Sequence, residues 1–160
     1  VIRMIVHGLT IDPASNSPIL ILKDPEGDRT LPIWIGLLEA TAIASELESV
    51  SFSRPMTHDL MRNLLESTHC TVSRVEVTDL KDNTFYAVIH LTGAEGELAV
   101  DSRPSDAIAL ALRTEAPIFV ADEVLERSSS ESSGDGEEVE KKYKDLLESL
   151  DPNEFGKYKM

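Results

Sequence analysis

The chain has 160 residues, 41% of them hydrophobic and 28% charged, with a formal net charge of −14 at pH 7. The length suits one domain with a buried core, and the fractions suit an ordinary globular protein. The acidic balance excludes a passive nucleic-acid binder, because such a protein displaces counterions from phosphates with a basic surface that this chain lacks.

The first 35 residues predict three strands. IRMIVHGLTI (2–11) carries apolar residues on both faces, as a central strand does. Asp12-Pro13-Ala14-Ser15-Asn16 is turn chemistry, PILILKD follows, and Pro25-Glu26-Gly27-Asp28 turns the chain into TLPIWI. A helix from about Leu37 to Ser49 places Ala40, Ile43, Ala44 and Leu47 on one face. After the connector SFSRPM a second helix starts with Thr57 as N-cap, and Leu60, Met61, Leu64 and Leu65 form its apolar face. The pattern then restarts. VSRVEVTDL and TFYAVIHL are strands joined through Lys81-Asp82-Asn83, a hairpin signal, and Gly93 to Gly96 turns into ELAVD. A helix begins at Pro104, and a short strand PIFVA and a helical turn near Glu123 close the body.

Three strands and a helix thus occur twice, with Ala42-Ile43-Ala44 and Ala107-Ile108-Ala109 at matching places. The expected fold class is α+β, with a candidate duplicated β-β-β-α unit and helices packed between mainly antiparallel sheets. The stretch Ala107 to Leu112 is apolar all round, which suits a helix buried on several sides. Residues 1–127 form this domain. SSSESSGDGEE (128–138) has the composition of a flexible acidic linker that buries too little apolar surface to order itself. Residues 139–160 are an amphipathic helix and tail, with Val139, Tyr143, Leu146, Leu147 and Leu150 on one stripe that docks on its own domain or on a sister subunit.

Residues 122–160 hold 12 acids against 6 bases and residues 1–121 hold 17 against 9, so removing the tail uncovers no basic module. Phosphate chemistry here requires local arginines or bound divalent cations. The single Cys70 excludes an internal disulfide framework and fits a reducing compartment. No run approaches the roughly 18 apolar residues of a membrane span, and VIRMIVHGLTI lacks the apolar stretch and cleavage site of a signal peptide. A cytoplasmic protein with no membrane partner is expected. Two-sided apolar strands and an all-apolar helix leave much surface to cover, so a homodimer or higher homo-oligomer is also expected.

The segment DSRPSDAIALAL (101–112) breaks a local rule. Pro104 tolerates the first helical turn but pushes Arg103 out of helical geometry, making Arg103 the N-cap. That position favours side chains that accept amide protons, and a guanidinium has no acceptor. The helix mouth is a ready anion site to which Arg103 adds a bidentate fork. Asp106 is placed to reach back to the cap amide, and Asp101 and Ser102 lie just before the helix. Local pairing of Arg103 with Asp106, with Asp106 as a plain cap, explains the same residues. His58 and Asp59 stand in the first turn of the second helix. A His beside a carboxylate suits a general base or a metal ligand, yet adjacent helical residues point roughly 100° apart and do not jointly grip one ion. Ordinary dipole chemistry covers Asp59 and Glu39 equally well. His7 and His90 lie inside strands, His69 ends a helix, and Asp79 and Asp82 flank the hairpin; all are taken as structural. No glycine-rich phosphate loop, GxSxG, HExxH or CxxC is present.

LPIWIG..EA.AIA, RP.THDL..NLLE, V..TDLKDNTFYA.I.L and DSRPSDAIALALRTEAPIFVADEVLE resemble, in that order, the bifunctional nuclease (BFN) domain family, over about residues 3–127. The closing LDPNEFGKYKM is similar to the tail of short bacterial members. The resemblance implies an α+β domain with nuclease activity on both DNA and RNA. It brings no established catalytic residues, so Glu39, His58, Asp59, Asp79, Arg103, Ser105 and Asp106 are candidates by chemistry alone. On that basis Mg²⁺ or Mn²⁺ held by Asp101, Asp106 and Glu39 would activate water and offset the acidic field. Arg103 and Ser105 would bind phosphate, and His58 would move the proton. Two other functions fit the same sequence: a non-enzymatic interaction or regulatory module, and a binder of a small anionic ligand at the Arg103 helix mouth.

Overall fold

The three apolar runs of the first 34 residues, separated by polar turns, form an antiparallel meander of β1 (Ile2–Ile11), β2 (Pro18–Lys23) and β3 (Thr30–Trp34). The computed structural model of the chain describes residues 1–132. Five of the six β2 residues are buried, which is why PILIL shows no polar alternation. Two helices follow, α1 (Leu37–Leu47) and α2 (Thr57–Ser67), and then a second meander of β4 (Thr71–Lys81), β5 (Thr84–Gly93) and β6 (Gly96–Ser102). Lys81 pairs with Thr84 across Asp82-Asn83, whose φ angles of 51° and 59° give the two-residue turn that matches right-twisting strands. From β6 the chain enters α3 (Pro104–Thr114), returns through β7 (Ile118–Val120), and ends in α4 (Asp122–Ser132).

The two meanders share one sheet. β7 lies between them, antiparallel to β1 and parallel to β4, giving the seven-stranded mixed order β3-β2-β1-β7-β4-β5-β6. This differs from the expected helices between separate sheets. Each meander presents an unpaired strand edge, at β1 and at β4, and one three-residue strand satisfies the facing N–H and C=O groups of both. The halves share an opening of three strands and a helix, then diverge into α2 on one side and β7 with α4 on the other. That shared opening does not establish a duplicated unit.

The all-apolar helix is central, as its sequence requires. Ala107 to Ala111 of α3 are at most 1% exposed, and α3 packs against α1, α2, β4 and β5. α2 sits shallower than its pattern suggests. Its N-cap is Met56 rather than Thr57, its one buried residue is His58, and Met61 and Leu65 pack partly against the core. Leu60 and Leu64 stay exposed. Four large apolar side chains at 60, 61, 64 and 65 subtend too wide an arc for one contact, so half of them turn outward.

α4 extends through residues 128–132, the start of the segment whose composition suggested a linker. Val124 and Leu125 are buried and anchor it, while the Ser129 and Ser130 hydroxyls donate to the carbonyls of Leu125 and Arg127. The rest of the expected linker, and the amphipathic helix expected at 139–160, lie outside the described residues. No helix among the described residues is long and apolar enough to cross a membrane. At the far edge of the sheet, Leu98 and Val100 of β6 stand in register with the buried Leu91 and Ile89 yet remain exposed. A cleft is left between α2 and β6, and the candidate site lies at its polar end.

Candidate active site

Arg103 has the extended backbone that Pro104 imposes, with φ −71° and ψ 145°, and caps no amide with its side chain. The guanidinium bridges two carboxylates instead. Its Nε donates to Asp106 Oδ2 and its Nη1 to Glu39 Oε1, each at 2.8 Å. The expected reach of Asp106 back to the cap amide is not made, because both of its oxygens are engaged elsewhere. Asp106 Oδ1 accepts from His58 Nε2 at 2.9 Å. A charged guanidinium is a stronger donor to a carboxylate than a backbone amide, and that preference decides the conformation.

A continuous chain Glu39–Arg103–Asp106–His58 therefore links residues separated by up to 67 positions in sequence. Each member stands at or in the first turn of a helix: Glu39 on α1, His58 on α2, Arg103 and Asp106 on α3. Three helix N-termini converge here, and their positive dipole ends favour carboxylates at this place. Gly36 makes room for one of them. A Cβ on this α1 N-cap would meet Glu39 Oε2, so any larger residue would shift the end of that side chain, while the φ of −78° is open to any residue.

The chain is graded in exposure. The Arg103 side chain is 64% exposed, while those of Asp106 and His58 are 26% and 11% exposed. Burial pushes the Asp106 pKa up, but the hydrogen bonds from Arg103 and His58 outweigh it and hold the carboxyl below its ordinary value. The same bonds to Asp106, and then to Glu39, raise Arg103 above its ordinary value. Asp106 is thus an ionised acceptor, and His58 must give it the Nε2 proton. When the ring is neutral, the lone pair is then on Nδ1.

The adjoining cleft has a volume of about 670 Å³. His58, Arg103, Asp106 and Asp101 belong to its polar lining, and Met61, Phe85 and Val100 to an apolar wall. Four of the residues expected at a site, Glu39, His58, Arg103 and Asp106, are therefore bonded together, and Asp101 shares the cleft with all of them but Glu39, which does not line it. Ser105 is 5% exposed and does not line the cleft. Asp59 turns away from His58 to pair with Arg113, as their 100° separation requires. Asp79 pairs with Lys81 and Arg127 at the β4–β5 hairpin. The carboxylates expected to share a metal ion, Asp101, Asp106 and Glu39, form no ligand group. Among the described residues no three His, Cys, Asp or Glu side chains are gathered to hold an ion. The Arg103 guanidinium stands between Glu39 and Asp106 and takes one oxygen of each.

One residue escaped sequence reasoning altogether. Arg113, in the last turn of α3, has a side chain only 2% exposed and donates from Nε to Asp59 Oδ1 at 2.8 Å. Its signal was a lone arginine at the end of the apolar run AIALAL, where an exposed face was not available to it.

A family model described as the bifunctional nuclease domain matches residues 20–133, which include every member of the Glu39–His58 chain. The protein belongs to the bifunctional nuclease domain family. An uncharacterized protein of Mycobacterium tuberculosis is 37% identical over 159 residues, covering 94% of this chain and 95% of its own. Bifunctional nuclease 1 of Oryza sativa subsp. japonica is 27% identical over 112 residues, 68% of this chain and 34% of the rice protein. Bifunctional nuclease 1 of Arabidopsis thaliana is 27% identical over 107 residues, 64% of this chain and 33% of the plant protein. The chain thus matches about a third of the length of these two plant proteins.

Proposed function

We propose that the protein hydrolyses phosphodiester bonds in DNA and RNA, with His58, Asp106 and Arg103 carrying the reaction. The observation that carries this function is the Asp106-oriented imidazole beside an exposed guanidinium at a cleft, in a family described as nucleases. His58 Nδ1 takes a proton from the attacking water as the water oxygen bonds to phosphorus. Asp106 holds the ring through Nε2–H and stabilises the imidazolium that forms. The bond from phosphorus to the leaving oxygen then breaks, and that oxygen receives the proton back from His58. A guanidinium has five N–H donors, and the two carboxylates engage one each. Arg103 therefore has donors left for the phosphate oxygens, whose charge grows in the transition state. Ser105, buried and outside the lining of the cleft, takes no part in this proposal, and the phosphate falls to Arg103. Mg²⁺ or Mn²⁺ belongs to this proposal as a companion of the substrate phosphates, and no step above passes through it.

The test is a cleavage assay on single-stranded DNA and RNA. Arg103→Lys should keep the fold and lower kcat/KM about tenfold or more, with kcat falling, because a point ammonium cannot hold two carboxylates and a phosphate together. Loss of cleavage in chelator, restored by Mg²⁺ or Mn²⁺, would add the ion. Unchanged cleavage by both Arg103→Lys and His58→Gln would remove the proposed site. The apolar wall of Met61, Phe85 and Val100 favours a second function, binding of a small anion with an apolar body, which calorimetric titration with mononucleotides against oligonucleotides would separate.

The free Cys70 thiol supports a reducing cytoplasmic location. The exposed Leu60, Leu64, Leu98 and Val100 support a homodimer, and sedimentation at micromolar concentration should give about twice the 17.6 kDa chain mass; a monomer mass would contradict it.

A further inference from the structure

α2 carries His58, yet apolar burial does little to hold its first turn. His58 is its one buried residue, and Met61 and Leu65 are only partly buried. Asp59 supplies the missing anchor. Its Oδ2 accepts the Met56 amide at 3.0 Å, and its Oδ1 accepts from Arg113 Nε at 2.8 Å. The remaining donors of Arg113 reach the other two helices. Nη1 donates to Ala109 O of α3 at 2.9 Å, and Nη2 donates to Ala42 O at 2.9 Å and Ser45 Oγ at 3.4 Å, both on α1. One buried guanidinium therefore ties α1, α2 and α3 together, and its link to α2 is the residue next to His58.

We propose that Arg113, acting through Asp59, is a positioning residue for His58, setting the start of α2 so that Nε2 meets Asp106. The inference rests on the nuclease function proposed above, in which the His58–Asp106 pair is the working pair. The physical reason lies in the spacing on α3. Asp106 and Arg113 stand seven residues apart, roughly 10 Å along a helix axis, and they grip adjacent residues of α2. Two separated points of attachment fix both the position and the rotation of the α2 N-terminus. A single hydrogen bond between His58 and Asp106 would leave the helix free to swivel about it. Capping alone does not explain Asp59, since one oxygen suffices for the Met56 amide and the other is held by a buried cation.

The test compares Asp59→Asn and Arg113→Lys with the wild-type full chain. Asp59→Asn keeps the shape and the cap acceptor, so it remains a folded comparison if Arg113→Lys does not. Side-chain nitrogen NMR of His58 is the first readout and needs no catalysis. The wild type should show the Nε2-protonated tautomer, and the variants should shift toward a mixture of both. Cleavage kinetics are the second readout, with kcat falling about tenfold or more and KM nearly unchanged, because misplaced catalytic groups lose rate rather than binding. Ile19→Ala, a β2 core truncation, controls for general destabilisation and should leave His58 as in the wild type. A wild-type His58 spectrum in folded Asp59→Asn, or an equal shift in Ile19→Ala, would overturn the proposal. If the wild type cleaves nothing while the NMR shift is found, the positioning stands and the nuclease function alone fails.

Discussion

Asp106→Ala is expected to lower cleavage of single-stranded DNA and RNA by roughly 10²–10⁴-fold, the usual contribution of a positioned proton-transfer group. The substitution acts on two partners at once. His58 loses the carboxylate that fixes its Nε2 tautomer, and Arg103 loses the bond that aims its Nε. Stability should fall by only about 1–2 kcal/mol, because the Arg103 side of the pair is well exposed and screened and the cost is mainly that of the buried His58 N–H left without its acceptor. Near-native melting with strongly reduced turnover is therefore the expected pattern. His58→Ala should cause a similar loss, and the double variant should lose little more than the worse single one, since groups that act as a unit are not additive. Cleavage unaffected by Asp106→Ala would place the activity elsewhere on the protein or in a contaminating nuclease.

Arg113→Ala is expected to cost about 3–5 kcal/mol at neutral pH, measured by urea unfolding, because it strands a largely buried carboxylate. It removes hydrogen bonds to all three helices at the site. The pH dependence is a separate check. Burial raises the Asp59 pKa, but the hydrogen bonds from Arg113 and the Met56 amide outweigh it, so the carboxyl lies below its ordinary value in the folded protein. A depressed folded pKa contributes stability that is fully present above the unfolded value of about 3.9. That stability is lost as pH falls through the folded value. Without Arg113, burial becomes the dominant influence and Asp59 takes up its proton more readily when folded. The difference between variant and wild type should therefore be largest near neutral pH and shrink below about pH 4. A penalty independent of pH would mean that Arg113 acts through packing and not through Asp59.

The elements themselves were legible because each depends on short-range chemistry. The continuous PILIL, the Asp82-Asn83 turn and the apolar run Ala107–Leu112 determine a buried strand, a two-residue hairpin and a central helix through contacts within a few residues. The odd placement of Arg103 was equally visible, since Pro104 and a guanidinium at an N-cap conflict locally. Its partners were only half visible. Asp106 lies three residues away and Glu39 lies 64 away, and nothing in the order GLLEATA says that its carboxylate meets residue 103.

Tertiary structure decided the rest. Whether the meanders form two sheets or one depends on where β7 inserts, which is a matter of backbone pairing that side-chain pattern does not record. Which half of Leu60, Met61, Leu64 and Leu65 turns inward follows from how α2 meets α3. By itself the sequence determined the strands and helices, an acidic surface and an arginine with no local use. The convergence of three helix N-termini, which joins Glu39, Arg103, Asp106 and His58, arises only when the helices pack on the sheet, because ion pairs between distant segments are specified by packing and not by spacing.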